Sequence, residues 1–74
     1  MIEIQKAKFL PHVYHLISDG VYVVFDKVIV SEVDNIHFYN DDRFVCLIDY
    51  TQKDAVLKAL EDQKIGVTQE SLLL

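Results

Sequence analysis

From Val21 to Val30 the chain is apolar on both parities of an extended strand. Val21, Val23, Phe25 and Ile29 fall on one parity, and Tyr22, Val24, Val28 and Val30 on the other. The stretch from Arg43 to Tyr50 repeats the pattern, with Phe44, Cys46, Ile48 and Tyr50 set against Val45 and Leu47. A strand with one wet face alternates apolar and polar, whereas a strand apolar on both parities has both faces covered. The chain must therefore find cover for two sheet faces within 74 residues. A chain of this size is one domain, 1–74, and hides roughly 60% of its unfolded surface.

The remaining elements follow from local patterns. Ile2 and Ile4 alternate with Glu3 and Gln5, a half-exposed strand whose parity changes near Lys6 to Phe9. Residues 10–20 support two readings. Leu10, Val13, Tyr14 and Ile17 match the i, i+3, i+4, i+7 template of an amphipathic helix, with Pro11 suited to its first turn and Gly20 to its end. Against this, Val, Tyr and Ile favour strands, and Asp19-Gly20 is a hairpin signal. The preferred reading is a short helix over about 11–18. Asp26-Lys27 is a point where the long apolar run can turn, although neither residue is the Gly or Asn that a two-residue hairpin prefers.

Residues 35–39 read as a strand, Asn40-Asp41-Asp42 as a turn of Asx residues, and Arg43 to Tyr50 as the returning strand. The best helix covers about 52–64, with Thr51 as N-cap, Asp54 three residues on, and Val56, Leu57 and Leu60 on one stripe. Gly66 is the expected terminator. The tail from Val67 to Leu74 has the pattern of an edge strand and ends in Leu72-Leu73-Leu74. The fold class expected is α+β: a mostly antiparallel sheet of four to five strands packed against the C-terminal helix.

Chemistry-bearing patterns are sparse. His12 and His15 would share a helical face at a spacing that zinc accepts, but they lack further ligands, and on a strand they would point apart. Cys46, between Val45 and Leu47, reads as a small core hydrophobe rather than a nucleophile. Asn40-Asp41-Asp42 offers oxygens without the glycine and glutamate of a calcium loop. The two glycines, at 20 and 66, form no phosphate-cradling loop. No catalytic residue, metal or cofactor is therefore expected.

Charge and length bear on partners. Lysine and arginine total 7 against 12 acidic residues, a net charge of −5, which disfavours nucleic acid. No apolar run approaches the ~18 residues of a membrane span, and Glu3 lies too early for a signal peptide, so a cytoplasmic protein is expected. With one cysteine, internal disulfides cannot reinforce a core that supplies only ~3–5 kcal/mol. Association is the remaining device. One good helix covers one sheet face; the other either closes on itself as a barrel or meets another molecule. The sequence thus predicts a small non-enzymatic binding or regulatory module. It is expected to be a homodimer seamed at Tyr22, Val24, Val28 and Val30, with an acidic surface of Asp34, Asp41, Asp42 and Asp49 open to a second protein.

The order strand–helix–strands–helix–strand resembles ACT-like and ferredoxin-like regulatory modules. That resemblance is one of pattern and implies a small ligand held at a dimer seam near Asp19-Gly20. A further alternative is an acidic inhibitor of the phage or immunity type, with the same four aspartates imitating nucleic-acid phosphates.

Overall fold

A computed structural model describes residues 2–70. Six strands follow one another before the helix: β1 (Ile2–Lys6), β2 (Tyr14–Ser18), β3 (Val21–Phe25), β4 (Lys27–Val30), β5 (Ile36–Asn40) and β6 (Arg43–Ile48). A 3-10 turn at Tyr50–Gln52 leads into α1 (Lys53–Asp62), and β7 (Thr68–Gln69) follows. The strands form two sheets, β1-β2-β3 and β6-β5-β4-β7, antiparallel throughout except for the β4–β7 pair. The α+β class, the mostly antiparallel pairing and the C-terminal helix are as expected; the loosely compatible count of four to five strands becomes seven short strands in two sheets among the described residues.

The helix expected at 11–18 is a strand. Tyr14 to Ser18 pairs with β1 on one side and β3 on the other. Ser18 and Val21 close the β2–β3 hairpin around Asp19 and Gly20, both at positive φ (48° and 83°), as a type I′ turn requires. The helical spacing of Leu10, Val13, Tyr14 and Ile17 was coincidental, since the β-favouring residues and the Asp-Gly turn act together along the same stretch. The Asx turn does form: Asn40 and Arg43 pair across Asp41 and Asp42, whose φ values are 54° and 63°.

The long apolar run bends at Asp26 and serves both sheets. Its backbone N–H donates to Tyr39 O at 2.9 Å, and its carboxylate accepts from Asp41 N–H at 3.1 Å, pinning the corner to the β5–β6 turn. Phe25 and Val28 both point inward, so Asp26 and Lys27 are two successive outward residues and the inward parity switches from odd to even. The two sheets thereby cover each other. Ile4, Leu16, Phe25, Val28, Val30, Ile36 and Phe38 are buried between them, together with Val56 and Leu60 of α1, one turn apart. Phe25 meets Phe38 edge-on with ring centroids 4.9 Å apart.

Both ends of the helix differ from the sequence reading. Asp49, not Thr51, makes the cap: its Oδ1 accepts from Thr51 N–H at 3.0 Å and also from the Thr51 hydroxyl. Gln52, at the N-cap of α1 itself, makes no side-chain cap bond. At the far end Lys64 takes the left-handed position (φ 58°). Lys64 N–H donates to Glu61 O at 2.9 Å and Ile65 N–H to Leu60 O at 3.0 Å, which is a Schellman closure. Gly66 lies two residues beyond that reversal. Of the expected edge strand at 67–74, β7 forms beside β4, with Ile29 opposite Thr68 and Val30 opposite Gln69. Leu72, Leu73 and Leu74 lie outside the described residues.

Candidate functional site

The registers assign every strand residue to a face. On the inner side of the larger sheet, Val28, Phe38 and Cys46 form one cross-strand row and Val30, Ile36 and Ile48 the next. The outer rows are Lys27–Tyr39–Phe44 and Thr68–Ile29–His37–Leu47. A bulge at Val45 brings Phe44 into line with Tyr39. The outer face is therefore largely apolar and aromatic. Phe44 is 56% exposed and Leu47 44%, while Ile29, His37 and Tyr39 are half-buried among them. The Phe44 ring lies 5.9 Å from that of Tyr39 and 5.8 Å from that of His37, and the Lys27 ammonium stands 5.3 Å from the Tyr39 ring centre.

The four residues expected at a seam divide. Tyr22 and Val24 lie on the outer face of the smaller sheet, in the rows Glu3–Ile17–Tyr22 and Gln5–His15–Val24. Val28 and Val30 are each only 1% exposed and belong to the core. The bend at Asp26 is the reason: it reverses parity between the two halves of the run, so Ile29 holds the outward place that an unbroken strand would give to its neighbours. The part of the outer surface overlooked in the sequence is Tyr39, Phe44 and Leu47. The signal for Phe44 and Leu47 was present in the two-sided apolar pattern of 43–50, but the bulge at Val45 hid which side Phe44 takes.

The four aspartates expected to form one acidic surface are split between opposite ends of the larger sheet. Asp41 and Asp42 form the β5–β6 turn, while Asp34 and Asp49 flank the other ends of those strands. At ~3.3 Å per residue, the five residues of β5 put about 16 Å between the two pairs. Each also has local work. Asp34 receives the Lys53 ammonium at 2.8 Å, Asp42 that of Lys27 at 3.3 Å, Asp41 N–H binds Asp26, and Asp49 caps the 3-10 turn. Asn35 strengthens the Asp34 end, its Oδ1 accepting from Tyr50 N–H at 3.1 Å.

The histidine pair does not assemble. His12 occupies the β1–β2 loop at φ 66°, and His15 faces outward from β2, where Nδ1 shares a hydrogen bond with the Tyr22 hydroxyl. Among the described residues no three His, Cys, Asp or Glu side chains group as metal ligands. Cys46 faces inward, half-buried and packed against the core. Burial pushes its thiol above the usual range, which opposes formation of a nucleophilic thiolate.

Concavities at two places bear on the expected ligand site. A cleft of about 210 Å³ runs between the β2–β3 turn and β6, lined by Leu16, Ser18, Asp19, Val21, Cys46 and Ile48 among others. It lies at Asp19-Gly20, yet falls below the ~300 Å³ at which small-molecule sites begin. A second, of about 300 Å³, sits under the β1–β2 loop against Tyr14 and Lys6. The order of elements, with no helix between β1 and β2, departs from the strand–helix–strand pattern behind the resemblance to ACT-like modules. Among the described residues no helix is long and apolar enough to cross a membrane.

Comparison of the chain with models of known protein families, with curated proteins and with solved structures returns no match.

Proposed function

We propose that this protein is a non-enzymatic binding module that associates with a second copy of itself through the outer side of the four-stranded sheet. The supporting observation is the pair of outer rows, Lys27–Tyr39–Phe44 and Ile29–His37–Leu47. A solvated antiparallel sheet face normally carries polar residues in these places. Here Lys27, His37 and Thr68 are the polar members of the described rows, and the large hydrophobics Phe44 and Leu47 are exposed. A small core gains stability from burying such a face, by mass action with its partner.

Light scattering across a concentration series tests the reading. The wild-type chain is expected at twice its monomer mass at the upper concentrations. Phe44→Asp, which places a carboxylate in the outer row, is expected to return the monomer, and Lys58→Asp on the exposed side of α1 to leave the mass unchanged. A folded wild-type monomer at every concentration refutes self-association.

A further inference from the structure

The β1–β2 loop differs in chemistry from the tight hairpin turns. Those at Asp19-Gly20 and Asp41-Asp42 carry the acidic and flexible residues usual at exposed turns. After Lys6 and Tyr14, the last cross-strand pair of β1 and β2, the loop reads Ala7-Lys8-Phe9-Leu10-Pro11-His12-Val13. Ala7 N–H donates to Val13 O at 2.9 Å and closes its base, and His12 turns the chain at φ 66°. Phe9 is 87% exposed, the most of any large hydrophobic side chain among the described residues, and Leu10 beside it is 61% exposed. The longest run free of acidic residues, Ile4 to Ser18, coincides with this loop. That run carries Lys6 and Lys8, a charge of +2 with histidines neutral, while the rest of the chain sets 5 basic against all 12 acidic residues, a sum of −7. Neither lysine forms an ion pair with another described residue. The carboxylate next along the sheet is that of Asp26, directly after Phe25, and it accepts from Asp41 N–H at the corner.

We infer that this loop docks on an anionic lipid surface, with Phe9 and Leu10 entering the interface and Lys6 and Lys8 meeting the phosphates. This surface is separate from the sheet face proposed above for self-association. Charge and shape both select the occupant. An adjacent aromatic and aliphatic pair on a protruding loop fits the deformable boundary of a bilayer, whereas a protein would need a matching groove. Lysine stems lie along apolar groups while their ammonium heads stay in water, so the two lysines can flank the inserted pair without being buried. Beneath the loop, the concavity of about 300 Å³ is lined by Lys6, His12 and Tyr14 among others, whose ammonium, imidazole and phenol groups can donate to a headgroup phosphate. The negative surplus of the remaining chain opposes the contact little, because charges more than ~8 Å away are largely screened at physiological ionic strength. Two apolar side chains and two lysines give reversible docking rather than a permanent anchor.

Co-sedimentation with lipid vesicles tests the assignment. The wild-type chain is expected to pellet with vesicles of equal parts phosphatidylcholine and phosphatidylglycerol, to stay in solution with phosphatidylcholine alone, and to be released by high salt. Phe9→Ser is expected to weaken binding to the mixed vesicles at least tenfold and Lys8→Gln roughly fivefold, with the circular dichroism of the folded chain retained. The chain has no tryptophan, so Phe9→Trp supplies a single fluorophore at the tip. Its emission is expected to shift to the blue on the mixed vesicles and to be quenched by brominated lipid. A wild-type chain that stays in solution with the mixed vesicles overturns the assignment, and so does a Phe9→Trp emission that they leave unchanged. Pelleting that survives Phe9→Ser also overturns it, and loss of that pelleting in Phe44→Asp then moves the lipid to the outer sheet face. Retention on immobilised polyglutamate without vesicle binding overturns it in favour of an acidic protein partner.

Discussion

The reversal after α1 gives a prediction in which sequence and structure disagree in sign. Gly66 is the residue a sequence reading assigns to the helix terminus, and there Gly66→Ala would cost on the order of 1 kcal/mol. In the structure the left-handed residue is Lys64, at φ 58°, and a Cβ added at Gly66 would meet no atom within 4 Å. Gly66→Ala therefore acts mainly on the unfolded chain, where alanine has fewer states to lose, and is expected to stabilise by about 0.4–1 kcal/mol. Lys64→Gly removes a left-handed penalty of about 1–2 kcal/mol for an L-residue and incurs about 0.5–1 kcal/mol of backbone entropy. Its net gain is about 0.5–1 kcal/mol, the difference between those two terms. For a domain of this size a gain of 1 kcal/mol raises the melting temperature by roughly 4–8 °C. Urea and thermal unfolding followed by circular dichroism, at one fixed protein concentration, measure both changes. A Gly66→Ala variant that melts lower than wild type, beside a Lys64→Gly variant that melts no higher, would refute the Schellman assignment.

Two further predictions concern the core. Val28→Asp buries a carboxylate in a site 1% exposed and is expected to unfold the chain, whereas Val24→Asp, on the outer side of β3, is expected to leave it folded; equal effects by circular dichroism would place the bend at Asp26 wrongly. Because burial raises the Cys46 thiol, the folded state holds its proton to higher pH than the unfolded chain does. Stability is then fully present below the ordinary thiol range of about 8.5 and declines as pH rises through it toward the raised value. Urea titrations at several alkaline pH values check this, since Cys46→Ala should lack that component of the decline.

What could be read in advance followed the strongest local signals. The Asx residues at 40–42 marked a hairpin because their side chains and left-handed tolerance suit a tight turn, and the apolar stripe of Val56 and Leu60 marked the helix that closes the core. The stretch 10–20 was misread because a short segment can satisfy both the helical and the strand period, and the pairing with β1 and β3 decides between them. Which residues face outward was half legible. Tyr22 and Val24 face outward as read, but parity counts hold only along an unbroken strand, and the corner at Asp26 depends on a carboxylate binding an amide 15 residues away. Thr51 and Asp49 are both good capping residues, and the intervening 3-10 turn moved the cap upstream.

The parallel β4–β7 contact also orders events in time. Every other strand pair joins neighbours in the chain, so each closes a short loop and can form early. The β7 pairing spans 39 residues, from Ile29 to Thr68, and rests on two exposed residues plus the bond from Glu70 N–H to Val30 O at 2.8 Å. Its entropy cost falls due only after the sheets and helix are in place. The last element to dock is thus also the first to lift, and the amides of Thr68 to Glu70 should trade their hydrogens for deuterium well before those of β5, whose neighbours hold it on both edges.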